Sequence, residues 1–425
     1  MHFSRILMTV GGLILAAPVL AAPATIELSH TLDEERAARL EPLIERFNGQ
    51  QKDVQIALVR RVEGDAPKQL NLVTREEYSR FLTNKAKFKP LGEVMREAKQ
   101  PLDVSKVAPE LRFGVTDAKG QLLALPLAYS TPVLFINKAA FRKAGLNPDM
   151  PPKTWAETQE VAGKLVDAGS RCAYTTSWPA WVHIDNLSAW NGASVADAKG
   201  NLDFNGLVEV KHVAMMATWA KSKYFTYFGR RDEADRRFAN GECGMLTSSS
   251  SLVATLSDNK SLDFGVSSFP YHDDVRGAPQ NTLADGSSLW IGGSLKPAES
   301  KGVAAFVNFL LSPDLQVEMT VAGGYLPMTS AARAAMGSKL LKVDLAGQNI
   351  AAAQLQGKMS PNLRVSQVEQ VRIIAEEELE NVWSGKKPSK EGLDNAVARG
   401  NAVMQPQPVA AKAKGKSSKS SKSGK

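Results

Sequence analysis

The period of apolar and polar positions changes several times along the chain. Thr25 to Leu28 reads as a strand, Leu32 to Asn48 sets Leu40, Leu43, Ile44 and Phe47 on one helical face, and Val54 to Val59 returns to strand character. This βαβ opening predicts an α/β fold with largely parallel sheets. Gln121 to Tyr129 reads as a strand interrupted by Pro126, and after Ser130-Thr131-Pro132 a second apolar strand runs from Val133 to Asn137. Proline donates no ladder hydrogen bond, so Pro126 and Pro132 mark a stiff extended crossing rather than the middle of one continuous sheet. Trp155 to Ala168 is helical with Thr154 as its cap, Phe264 to Pro270 is strand-like, and His272 to Asn281 is a polar loop. Ser300 to Leu311 and Pro361 to Trp383 are helical, the second rich in glutamate, and no repeat of fixed period is present.

A chain of 425 residues exceeds what one core organises, since single domains stop growing below about 300 residues, so two lobes are expected. Hydrophobic content of 43% and charged content of 23% are ordinary globular values and exclude a collagenous or largely disordered chain. The formal charge of +8 is concentrated at the ends: six lysines lie between Lys412 and Lys425, and Arg5 lies in the leader. What remains is close to neutral, which removes the electrostatic footprint expected of a nucleic-acid-binding face.

His2 and Arg5, the apolar run Ile6 to Ala17 and the small residues near Ala21 form a secretory signal peptide, residues 1–21. The run is shorter than the roughly 18 to 20 residues that span a bilayer. Export places Cys172 and Cys243, the two cysteines, in an oxidising compartment, and a bridge between them is expected, with two inert buried thiols as the alternative. From Gln405 onward Pro, Ala, Lys, Ser and Gly leave almost nothing apolar to bury, so residues 405–425 are expected to be disordered.

The five histidines form no HExxH pair, which argues against a catalytic zinc, and GxSxG, Walker A and GxGxxG signatures are absent. No cofactor or metal is implied. A carboxylate-pair hydrolase stays open, because its two acids need no fixed spacing. The distinctive chemistry is a set of donors where strands end: Ser130-Thr131, the run Thr247 to Ser251, and Asp285-Gly286-Ser287-Ser288. Hydroxyls and exposed backbone N–H groups at such turns can hold an anion, although serine-rich loops are also common without any ligand. Tyr325 sits in a Gly-Gly-Tyr-Leu-Pro turn, Arg372 stands four residues before Glu376, and Trp178 and Trp181 flank Pro179. Read alone, Arg372 is an exposed ion pair and the tryptophans are core or a platform for a polyol face.

Ser130-Thr131-Pro132-Val133-Leu134, Pro151-Pro152-Lys153-Thr154-Trp155, Leu187 to Gly192, Ala278-Pro279-Gln280-Asn281, Gly324-Tyr325-Leu326-Pro327 and Glu376 to Glu380 with Val382-Trp383 occur in the order found in one family. The chain resembles, from about residue 25 to 404, the periplasmic sn-glycerol-3-phosphate-binding proteins of ABC uptake systems, a branch of the extracellular solute-binding proteins. The resemblance implies two α/β lobes joined by crossing strands around a ligand cleft: 22–129 plus 283–330, and 130–282 plus 331–404. It implies phosphate contacts from Ser130, Ser249, Gly286, Tyr325 and Arg372, whose planar guanidinium suits phosphate oxygens, with Trp178 as the platform.

The glycerol half departs from the pattern. Between Val62 and Pro67 a stretch carried by family members is missing, together with its tyrosine, and the acidic position that follows falls at Thr74, with Glu76 or Glu77 as shifted alternatives. The cavity is therefore expected to be wider at that end, suiting a glycerophosphodiester. The reading is a monomeric periplasmic receptor that delivers a phosphate ester to an inner-membrane permease. The alternatives are a relative that has lost transport and acts as a scaffold, and a secreted hydrolase using the same cleft.

Overall fold

The structure, a computed structural model, describes residues 23–405 except 33, 63, 75–76, 78–87, 104–105, 113, 118, 340–345 and 356–366. The expected leader, Glu76, the start of the Pro361–Trp383 segment and the chain beyond residue 405 lie outside the described residues. Among the described residues no helix is long and apolar enough to cross a membrane.

Two sheets organise the chain. The first runs β2 (Val54–Arg60), β1 (Ala24–His30), β3 (Leu70–Val73), β10 (Asp285–Gly292) and β4 (Phe88–Lys89), with β5 (Leu125–Ser130) also paired to β10. The second runs β7 (Tyr174–Thr176), β8 (Met245–Ser249), β6 (Pro132–Asn137) and β9 (Phe264–Ser268). Thr131 alone separates β5 from β6, so the chain steps from one sheet into the other, as the two prolines predict.

That step also explains where the expectation of largely parallel sheets fails. Pairing of β1 with β2 and β3 is parallel, but β10 is antiparallel to β3, β4 and β5, and β6 is antiparallel to β8 and β9. A strand that enters a sheet directly from the other lobe has no crossover helix to turn it parallel. The sheets are therefore mixed.

The single helix expected over Leu32 to Asn48 is two, Glu34–Ala38 and Glu41–Gln50. Pro42 is the cause, because its ring clashes with the carbonyl one turn back, at Ala38, and Arg39 and Leu40 form the kink. The Trp155–Asp167 helix starts as read: Thr154 Oγ1 accepts from the Glu157 N–H at 3.1 Å, and the Glu157 carboxylate accepts from the Thr154 N–H at 3.2 Å. This reciprocal cap satisfies two donors that a helix start otherwise leaves unpaired.

Each sheet has its own apolar packing. On the first, Ile26, Leu28 and Leu70 meet the Pro297–Leu310 helix through Val303, Phe306 and Val307, and Phe47 stacks edge-on with Phe306 at 5.1 Å. Beside the second sheet, buried Trp155 is surrounded by Tyr174, Trp219, Phe269 and three histidines. His183 and His212 contact through ring nitrogens at 2.9 Å, and His212 and His272 at 3.1 Å, all three buried. Burial, which penalises the imidazolium, holds His183 down to about 3 and His272 to about 4, and puts His212 well below its ordinary value.

Cys172 and Cys243 are bridged, as expected, with Cα atoms 4.6 Å apart. They stand just before the parallel neighbours β7 and β8, where the Gly244 N–H donates to the Cys172 carbonyl at 2.8 Å.

Two measurements check this packing. The bridge closes a loop with a sequence separation of 71, which on the chain-entropy model is worth about 4 kcal/mol, so urea unfolding in reductant should show a loss of up to that size. The histidines must be neutral in the fold but protonate near pH 6.5 once unfolded. Their stability contribution is complete above pH 6.5 and falls as pH drops towards 4 and 3, by about 1.4 kcal/mol per pH unit for each histidine involved. Unfolding free energies at pH 7, 6 and 5 should decline in that order, and a flat profile would contradict the buried triad.

Candidate functional site

The crossing between sheets brings four chain segments to one place. In the ladders, Ser130 of β5 lies opposite Asp285 of β10, and Pro132 of β6 lies opposite Ser249 of β8. Strand ends from both sheets therefore converge around Ser130. The Ser130 and Ser249 hydroxyl oxygens are 2.6 Å apart, and Ser249 and Ser251 are linked at 2.7 Å. Three hydroxyls with mobile protons form a chain that can turn its donors towards an anion.

Gly286 follows, and its identity is forced: a Cβ there would lie 2.0 Å from the Ala128 carbonyl oxygen. The turn carrying Tyr325 is fixed in two ways. Gly324 has φ of +66° and approaches Ser251 so closely that a Cβ would meet its Cα at 2.8 Å, and the Leu326 N–H donates to the Tyr129 carbonyl at 2.8 Å. Both glycines thus serve close backbone approach at the site.

Ser130, Ser249, Gly286, Tyr325 and Trp178 all line one cleft of about 410 Å³, within the range of about 300 to 1,000 Å³ usual for small-ligand pockets. Trp178 reaches it from just beyond β7 with φ of +54°, a conformation uncommon for a side-chain-bearing residue. The Arg231 guanidinium lies 5.7 Å from its ring centre and is itself held by Glu369 at 3.2 Å and Glu376 at 3.1 Å. Burial pushes the Glu376 carboxyl up to about 7, against the pull of Arg231.

Arg372, the sixth predicted residue, is not on the wall. Its side chain is buried behind Asp285, donating from Nη1 to Asp285 at 2.6 Å and from Nε and Nη2 to one Asp185 oxygen at 2.8 and 2.7 Å. Burial acts to lower its pKa, but Asp185 and Asp285 outweigh that and the guanidinium stays charged. The exposed pair with Glu376 that spacing suggests does not form, because Glu376 turns to Arg231.

Leu32, Arg39 and Thr74 also line the cleft. Thr74 donates its N–H and hydroxyl to Glu77 at 3.1 and 3.2 Å, and Glu77 pairs with Arg61 at 2.7 Å. The shifted-register alternative at Glu77 is therefore engaged elsewhere.

Asp185, Arg39, Asp232 and Asp235 are the residues that sequence reading passes over. Asp285 lay within a segment already singled out, and Arg230-Arg231-Asp232 is a charged run that could have drawn notice. Arg39 and Asp185 carry no local signal, since only tertiary packing brings them here.

A cleft where strands cross between two mixed α/β sheets, lined by hydroxyls and backbone turns, defines a two-lobed solute receptor. The family profile of the bacterial extracellular solute-binding proteins matches residues 43–344, and the chain belongs to that family. It is 37% identical over 410 residues to the sn-glycerol-3-phosphate-binding periplasmic protein UgpB of Pectobacterium atrosepticum, covering 90% of this chain and 92% of that one. Against the UgpB of Escherichia coli the identity is 35%, with 90% and 93% covered. The fold is similar to that of UgpB from Mycobacterium tuberculosis in complex with glycerophosphocholine, at a TM-score of 0.76 and 19% identity over 90% of this chain and 99% of that one. Maltose-bound MalE3 of T. maritima superposes at 0.70 with 17% identity, covering 90% and 100%. The resemblance read from short motifs holds over the whole receptor.

The ion triad around Arg372 supplies a prediction. Arg372→Ala leaves the buried Asp185 and the half-buried Asp285 without their shared cation and should cost about 3 kcal/mol of stability in the absence of any ligand. Urea unfolding measures it, and adding Asp185→Asn and Asp285→Asn should recover part of the loss.

Proposed function

We propose that this protein is the solute-binding component of an ABC importer, taking a phosphate-bearing polyol such as glycerol-3-phosphate or a glycerophosphodiester. The observation that carries the reading is the convergence of Ser130, Ser249, Gly286 and Tyr325 on one cleft, with the two serine hydroxyls 2.6 Å apart. Hydroxyl and backbone donors suit phosphate oxygens, and Trp178 offers a face to the polyol carbons. The relatives named for glycerol-3-phosphate and the complex with glycerophosphocholine favour the same ligand class, and they favour capture over hydrolysis or scaffolding.

Export to the periplasm and handover to an inner-membrane permease follow from that family reading. The lobes in this reading are 22–129 plus 283–330 and 130–282 plus 331–404. The Ser330–Lys339 helix packs on Pro313–Gly323, whereas Ala346–Ala353 packs on β9. Bending at the crossings would close the lobes on the ligand.

Calorimetry of the full chain without its leader, against glycerol-3-phosphate, glycerophosphocholine and inorganic phosphate, tests the reading. Both esters should bind, and Ser130→Ala or Ser249→Ala should weaken each by about 1.5 to 3 kcal/mol, the worth of a hydrogen bond to a charged group. If no phosphate ester binds, the reading is overturned.

A further inference from the structure

Resting on the phosphate-ester reading, we propose that Arg231 is a positioning residue for the ligand, which sets the indole of Trp178 against the polyol carbons and acts on binding through that ring. Trp178 stands half-buried on the cleft wall with φ of +54°, so burial alone does not fix its ring. Arg231 holds it twice. Its carbonyl accepts the Trp178 N–H at 3.1 Å, and its guanidinium lies 5.7 Å from the ring centre, within cation–π range. Arg231 is not itself among the residues that line the cleft, so its influence on a bound ligand passes through Trp178.

The guanidinium is held in turn from one face of the Val368–Trp383 helix. Glu369, Arg372 and Glu376 follow one another at helical spacing and share that face. Glu369 takes Arg231 at 3.2 Å and Glu376 takes it at 3.1 Å, and both carboxylates are buried. Arg372, between them in the chain, takes Asp285 at the first residue of β10, opposite Ser130. The Arg231 N–H is tied as well, donating to Glu233 at 2.8 Å. One helix face therefore fixes both the strand end beside the serine donors and the cation against Trp178. The distance from phosphate anchor to polyol platform is built into the fold by that face.

A double-mutant cycle tests the assignment, read by calorimetry of the full chain without its leader against glycerol-3-phosphate. Trp178→Ala should weaken binding about tenfold and Arg231→Gln about three- to tenfold. The double variant should lie within about twofold of Trp178→Ala, because Arg231 has nothing left to position. Arg231→Lys, which keeps a cation between the two carboxylates, should recover part of the loss. A role confined to holding the fold together would add its loss to that of Trp178→Ala, so additive losses overturn the proposal, as does wild-type affinity in Arg231→Gln. Thermal unfolding of each variant identifies a folding defect. Where Arg231→Gln does not fold, Arg231→Gln with Glu376→Gln takes its place in the cycle, since it removes a buried carboxylate together with its cation. Wild-type affinity in Trp178→Ala overturns the platform and the role of Arg231 with it, and leaves the serine site standing. Absence of binding by every phosphate ester overturns the receptor reading itself.

Discussion

The arrangement of the cleft depends on one buried cation. Arg372, on the Val368–Trp383 helix, holds Asp185 beside the second sheet and Asp285 at the first residue of β10. Asp285 is paired in register with Ser130, and Gly286 is its neighbour, so the ion triad fixes the strand ends from which the anion donors project. Asp185, buried like Arg372, and the half-buried Asp285 are held by attraction to the guanidinium, which offsets a desolvation cost of several kcal/mol for each buried ion. Two carboxylates against one guanidinium leave the triad with a formal negative excess. In the proposed complex the recognition therefore falls to the hydroxyl chain at Ser130, Ser249 and Ser251 rather than to Arg372.

The same crossing explains what could be read of the fold in the sequence. Pro126 and Pro132 announce an extended passage between lobes, and Thr154 with Glu157 announces a helix start, because these residues act through local backbone chemistry. Pro42 was equally visible, yet the apolar spacing of Leu40, Leu43, Ile44 and Phe47 reads across it as one helix. Those positions are shared by the second of two helices and the residue before it. Strand direction was not legible, since an apolar run such as Val133 to Asn137 looks alike whichever way its neighbour runs. The antiparallel pairings of β6 and β10 follow from topology, which no local pattern encodes.

The site divides along the same line. Ser130, Ser249, Gly286 and Tyr325 were legible because each sits in a short distinctive motif at a strand end or a glycine turn, and close backbone approach dictates Gly286 against Ala128 and Gly324 against Ser251. Arg372 was legible as a cation but not as the partner of Asp185 and Asp285, which stand 187 and 87 residues away in the chain. Arg39 was invisible for the same reason: its place on the wall depends on a kink and on the packing of a helix from the other lobe.

These features constrain the lining of the cleft unevenly. The serine end is framed by strands of both sheets, and behind it stand the Cys172–Cys243 bridge at the entry to β7 and β8 and the aromatic and histidine cluster around Trp155. A substitution there disturbs packing and pairing at once, so this part of the lining is constrained by the fold itself. Leu32, Arg39 and Thr74, which also line the cleft, stand at strand exits and a helix kink where side chains can change without breaking a ladder or emptying a core. A receptor built this way can keep the strand ends that frame Ser130 and Ser249 while the strand exits and the kink that line the rest of the cleft change.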